Sequence, residues 1–185
     1  FQNLVTGLDE SERHVVLDLG AASTAMLAHL GQSRCRAEIV DLANFGGVDR
    51  LNSAEPGREL DKAAESLLPI RLPDDGVDLV FCWDLPNYIT LDALSALMTA
   101  IERRARPGAL AHALIFYAER NMKERPGRWI PTAEGDLVDF GAPGAVTTAP
   151  RYSPEDLGKH MGHFAIDRAR LLGNGMQEFL FQLGS

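Results

Sequence analysis

The stretch His-Val-Val-Leu-Asp-Leu-Gly-Ala-Ala-Ser-Thr-Ala-Met-Leu-Ala-His-Leu-Gly, residues 14–31, with Ala-Glu-Ile-Val-Asp at 37–41, decides how this chain is read. Val15, Val16, Leu17 and Leu19 form the short apolar, β-branched run that a parallel strand covered on both faces requires, and the run stops at Gly20. Beyond it, Ser23 or Thr24 can cap a helix, Met26, Leu27 and Leu30 give that helix an apolar side, and Gly31 closes it. Residues 37–40 return to strand character and end on Asp41. A strand, a small-residue turn, a helix and a second strand tipped by an acid make half of a nucleotide-binding unit. Its ligand is expected beyond the carboxyl ends of the strands.

Leu-Asp-Leu-Gly at 17–20, Asp41, Asp-Leu-Val-Phe-Cys-Trp-Asp at 78–84 and Arg-Pro-Gly at 106–108 follow one another in an order that resembles the class I S-adenosylmethionine-dependent methyltransferases. The resemblance spans most of the chain. It implies S-adenosylmethionine as cofactor, with Asp18, Gly20 and Ala22 at its methionine end, Asp41 on the ribose hydroxyls with Leu42 beside it, and Asp84 at the border of the transferred methyl. The glycine-rich motif is degenerate: such enzymes carry glycines at alternate positions after the first acid, whereas here Gly20 is followed by Ala22 and Thr24. Each added Cβ takes room from a ligand, and a slightly wider loop would absorb Ala22.

Asp84-Leu-Pro-Asn-Tyr88 is similar to the Asp-Pro-Pro-Tyr motif of amino-group methyltransferases, with Leu85 and Asn87 in place of the prolines. Asp84 and Tyr88 are therefore the candidate catalytic residues. The alternative is that Asp84 caps the next helix and Tyr88 packs beneath it.

With 185 residues, 45% hydrophobic and 24% charged, the chain fits a single globular domain spanning 1–185. Its net charge of −8, without a basic stripe, argues against nucleic acid as a partner and suits a small molecule better. The two cysteines, Cys35 and Cys82, sit in or beside strand-like runs without metal-ligand spacing. They read as reduced core residues, which places the protein in the cytoplasm, and no metal site is expected. No apolar run is long enough to span a membrane and no leader is visible, while the abrupt start at Phe1 suggests a longer natural amino-terminal part.

Residues 1–13 read as a short lead-in and 43–57 as loop and turn. Leu60, Ala63, Ala64, Leu67 and Leu68 recur as one face of an amphipathic helix. Residues 70–72 leave room only for a vestigial third strand. Residues 77–83 are a strong strand, Leu91 to Ile101 a helix, and 109–117 a strand in which His112, at mid-strand, reads as a hydrogen-bonded core residue rather than a base, which would have to reach the crevice. The Pro- and Gly-rich stretch at about 118–150 is too long for a plain connection. It reads as a small β-hairpin or flap over the site, with a solvent-exposed excursion or a homodimer contact as the alternative. Trp129, Arg151 and Tyr152 join Tyr88 as candidate substrate contacts. Ser153 begins a helix, and nothing supplies a base that would make it a nucleophile.

Residues 164–172 and 176–183 flank Gly-Asn-Gly at 173–175, a strong hairpin signal. That hairpin separates two families: NAD-binding folds end their sheet with parallel strands, whereas class I methyltransferases carry an antiparallel last strand. The expectation is an α/β three-layer sandwich with a Rossmann-like mixed sheet of six or seven strands and an antiparallel C-terminal strand. The expected function is methyl transfer to a small molecule. The other reading, motivated by Ala22, Thr24 and the missing third strand, is a non-catalytic binding or assembly module with the same fold. NAD-dependent oxidation is disfavoured by the hairpin and by the lack of Gly-x-Gly-x-x-Gly.

Overall fold

The computed structural model describes residues 12–32, 34–69, 76–132 and 136–184. Most of the expected lead-in and the vestigial strand at 70–72 lie outside the described residues. Strand β1 (His14–Asp18) is followed by helix α1 (Thr24–Leu30), strand β2 (Cys35–Ile39), helices α2 (Gly47–Ser53) and α3 (Arg58–Leu67), and strand β3 (Val77–Trp83). Helix α4 (Leu91–Glu102) leads into strand β4 (Ala105–Phe116). Four short strands come next, β5 (Asn121–Lys123), β6 (Trp129–Pro131), β7 (Leu137–Asp139) and β8 (Val146–Thr148). Helix α5 (Pro154–His160) and the strands β9 (Phe164–Leu171) and β10 (Met176–Leu183) complete the order.

The main sheet has six strands in the order β2-β1-β3-β4-β10-β9. β2, β1, β3 and β4 are parallel, and β10 runs antiparallel between β4 and β9. The final hairpin forms as its sequence requires: Gly175 takes φ 79°, and the Leu172 amide donates to the Met176 carbonyl at 2.8 Å. Ser23 caps α1 by accepting from the Met26 amide at 3.1 Å, so Thr24 is already helical. Ser153 and Asp156 make a reciprocal capping box on α5.

Strand alternation sends side chains to two different layers. Val15, Leu17, Leu19, Val80 and Cys82 pack with Leu51, Leu60, Leu94, Leu97 and Leu157 from the helices on one face. Val16, Leu79, Phe81, Trp83 and Leu114 meet Met26 and Leu30 of α1 on the other, together with Trp129. Both faces are thus covered, and the three-layer α/β expectation describes the molecule.

Two local readings are corrected. Residues 43–57 are not loop throughout, because α2 forms once Gly46, at φ 71°, turns the chain and Leu51 becomes buried. Tertiary burial there outweighs a turn-rich composition. β4 also begins earlier than residue 109: Ala105 pairs with Val77, the register then jumps to Leu110 opposite Leu79, and Arg-Pro-Gly at 106–108 is an irregularity inside the strand. Gly108 supplies its left-handed φ of 81°.

The excursion between β4 and α5 is two nested ladders rather than one hairpin. β5 pairs with β8 and, inside them, β6 pairs with β7, both antiparallel. Lys123 of the outer pair reaches Asp139 of the inner one at 2.6 Å.

Candidate functional site

Because β1, β2 and β3 are parallel, their carboxyl ends emerge along one edge, and the loops that follow surround a cavity of about 730 Å³. That lies within the roughly 300–1,000 Å³ typical of small-molecule and cofactor sites. Gly20 and Ala22, Asp41 and Asn44, and Trp83 and Asp84 line its sheet side. Residues 123–128 and 140–145 of the excursion line the opposite side.

Two corners of the sheet side are held in the left-handed region without glycine, Asp41 at φ 48° and Trp83 at φ 50°. Such a backbone costs about 1–2 kcal/mol and persists only where side chains enforce it. At the first corner the Asn44 amide nitrogen donates to both Asp41 carboxylate oxygens, at 3.0 and 2.9 Å, and the Asn44 backbone N–H donates to Oδ1 at 3.2 Å. At the second corner the Trp83 indole N–H donates to Asp18 Oδ1 at 2.6 Å while its ring stacks on Phe81, centroids 5.0 Å apart. The fully buried His112 meets Trp83 edge to face and shares Nε2 with Glu178 at 3.0 Å, as a core histidine should.

Asp18 also accepts from the Gly20 amide at 2.9 Å. Burial lifts its carboxyl from 3.8 to about 6, against the downward pull of the Trp83 and Gly20 hydrogen bonds. The glycine at 20 has a different reason from the one its motif suggests. A Cβ there would lie 2.5 Å from Trp83 Cδ1, so Gly20 makes room for an indole rather than directly for a ligand.

Asp84 does not cap the following helix. Thr90 does that by accepting from the Ala93 amide at 3.2 Å, and Asp84 Oδ2 instead accepts from the Gly127 amide at 2.8 Å, tying the excursion to the end of β3. The residue is only 2% exposed, and its Oδ1 lacks a hydrogen bond of acceptable geometry, as does the nearby Trp129 indole N–H. Burial raises its carboxyl to about 6, opposed by the donors at Gly127 and Trp129. Asn87 ties this loop to the sheet: its amide donates to the Asp84 and Leu114 carbonyls at 2.7 and 2.8 Å and accepts from the Phe116 N–H at 3.0 Å. It is a structural bridge between β3 and β4. Tyr88 is half-buried behind Asp84, and burial together with the Asp84 and Asp139 carboxylates pushes its phenol upward.

The cavity therefore gathers Gly20, Ala22, Asp41 and Asp84, with Asp18 directly beneath. Other expected site residues are not among its lining. Leu42 is a core side chain. Trp129 is buried against Phe81 and Leu114 rather than turned to the cavity. Arg151 donates to the Tyr117 carbonyl at 3.2 Å and the Tyr152 hydroxyl to the Ile89 carbonyl at 3.0 Å. Sequence reasoning missed Trp83, Asn44, Gly127 and Arg128. Asn44 was detectable, since an Asn three residues after an Asp can close a side-chain turn. Gly127 and Arg128 were not, because their partners Asp84 and Ala22 lie 43 and 106 residues away. Among the described residues, no group of three or more His, Cys, Asp or Glu could hold a metal ion, and no helix is long and apolar enough to cross a membrane.

No family model matches the chain, and no curated protein sequence matches it. Solved structures do. The 1,6-didemethyltoxoflavin-N1-methyltransferase of Burkholderia thailandensis, with 1,6-didemethyltoxoflavin and S-adenosylhomocysteine bound, superposes with a TM-score of 0.52 at 15% identity, over 100% of this chain and 78% of that one. An S-adenosylmethionine-dependent methyltransferase from Clostridium acetobutylicum gives 0.53 at 15% identity, over 100% and 90%. A methyltransferase of the same description from Aquifex aeolicus gives 0.50 at 16%, over 99% and 98%. What the chain shares with them is the fold.

Proposed function

From the class I methyltransferase fold and the cavity at its strand ends, we propose that this protein transfers a methyl group from S-adenosylmethionine to a small-molecule acceptor. The observation that carries the reading is the Asp41 carboxylate, at the tip of β2 on the cavity wall, with both oxygens already accepting from an amide NH₂. Two donors meeting one carboxylate is also how a ribose diol would bind, so the Asn44 amide marks the chemistry of the site. The donor set fits the cofactor: a carboxylate for the diol, small residues Gly20 and Ala22 for the amino-acid end, and a cavity of sufficient volume.

When bound, the cofactor supplies an electrophilic methyl on a sulfonium. The protein's contribution is to hold, orient and enclose. Asp41 binds the ribose hydroxyls in exchange for Asn44. Asp18, through Trp83 and Gly20, fixes the loop that carries Ala22. Asp84, pushed up to about 6 by burial, is mostly ionised at neutral pH, which is the form that takes a proton from an acceptor amine or hydroxyl once that acceptor reaches the end of β3. The excursion acts as a flap that excludes water from the reacting atoms.

A second reading has its own observation. Asp84 Oδ2 is committed to Gly127 and the Asp41 oxygens to Asn44, which also suits a non-catalytic module whose site has closed on itself. Calorimetric titration with S-adenosylmethionine and S-adenosylhomocysteine separates the two. Binding near micromolar, with neither NAD nor NADP bound, is expected; absence of heat with both adenosyl compounds would select the module.

A further inference from the structure

Most cations of this acidic chain that form polar contacts are paired with carboxylates, as in Arg103 and Arg104 with Glu65, Arg106 with Asp78 and Lys123 with Asp139. Arg128 is different. Its guanidinium reaches across the cavity wall to a neutral group, the Ala22 carbonyl, at 3.2 Å, and makes no ion pair among the described residues. A guanidinium carries five N–H donors in a planar fork suited to a carboxylate, and one carbonyl uses few of them.

The base of this arm is held firmly. The Arg128 amide donates to Asp139 Oδ1 at 2.9 Å and its carbonyl accepts from the Phe140 amide at 2.8 Å. The residue before it, Gly127, is bonded to Asp84, and the residue after it, Trp129, is buried in the core. The exposed guanidinium is therefore presented beside the loop after β1, from the opposite wall of the cavity.

Resting on the cofactor reading above, we propose that Arg128 binds the carboxylate of the amino-acid tail of S-adenosylmethionine, and that this contact fastens the excursion to the sheet. The cofactor is then gripped from two elements at once, ribose by the end of β2 and carboxylate by the excursion.

S-adenosylmethionine and its decarboxylated analogue, which differ only in that carboxylate, provide the test by calorimetric titration of the whole protein. The wild type is expected to prefer S-adenosylmethionine by about tenfold or more, the scale of a charge-assisted pair. Arg128→Ala should lose that preference while binding the analogue within about twofold of wild type, since its present contact is exposed and weak. Arg125→Ala, removing the other cavity-lining arginine of the same loop, should keep it. In hydrogen exchange, S-adenosylmethionine but not the analogue should protect residues 121–131 of the wild type, and neither should protect them in Arg128→Ala. Equal binding of the two compounds by wild type, an equal loss of both in Arg128→Ala, or loss of preference in Arg125→Ala alone overturns the inference while leaving the cofactor reading intact. Binding of neither compound by wild type overturns both.

Discussion

The two faces of the sheet are built from the same strands by opposite rules. On the face covered by α2, α3, α4 and α5, Val15, Leu17, Leu19, Ala111, Ala113, Ile115, Phe179 and Phe181 are all apolar and buried. On the other, the alternate residues of those strands include Asp18, His112 and Glu178, each at most 9% exposed. A buried polar group destabilises unless it is bonded, and here each is: Asp18 to Trp83, His112 to Glu178, Glu178 to Arg170. That division separates tasks. One face supplies non-directional burial, and the other positions the groups around the cavity at some expense in stability.

The largest test of this division compares one side chain from each face. Trp129→Ala should cost about 3–5 kcal/mol and Leu97→Ala about 2–5 kcal/mol in urea unfolding, as large-to-small core changes do. Only Trp129→Ala should also weaken cofactor binding by the folded protein, because Trp129 roots the excursion. A matching loss of affinity in Leu97→Ala would show that the faces are not separable.

The polar face should also show in the pH dependence of stability. Asp18 and Asp84 have folded values of about 6 against an ordinary 3.8, so the native state holds their protons more tightly. Their favourable contribution is complete below about 3.8, declines as pH rises, and is gone above about 6, a change on the order of 2–3 kcal/mol for each. Glu178 works in the opposite sense at lower pH. Burial alone would raise it, but the hydrogen bond and charge of His112, with a smaller pull from Arg170, bring it to about 2, so its contribution is present above about 4.5 and lost as pH falls toward 2. Asp84→Asn should remove about half of the decline between pH 4 and 6, measured by urea unfolding across that range. An unchanged slope would mean that Asp84 is not buried as an acid.

A smaller effect is expected at the ribose corner. Asp41→Ala should weaken S-adenosylmethionine by about tenfold or more while the thermal midpoint stays within a few degrees. Unchanged affinity would remove Asp41 from the site. The smallest effect is local. In hydrogen exchange without ligand, the β6–β7 amides next to Trp129 should be better protected than those of β5–β8, where all three residues of β8 are exposed. The reverse order would mean that the excursion is held by its outer ladder.

By itself the sequence determined the order of the main strands and of helices α1, α3, α4 and α5, the parallel core strands, the terminal antiparallel hairpin and the acid at the end of β2. Those follow from periodicity, glycine placement and turn chemistry, all of which act over a few residues. It also marked Asp18, Gly20, Ala22, Asp41 and Asp84 as the places where strands end, which is where this fold builds its cavity. Only the tertiary structure decided what those residues do there. Gly20 is shaped by Trp83, Asp84 is taken by Gly127, Trp129 turns from an expected lid contact into core, and Arg128 arrives at Ala22 from the far side of the chain. Each of these depends on a partner dozens of residues away, and a side chain's pattern of neighbours in sequence carries no record of which distant group folding will set against it.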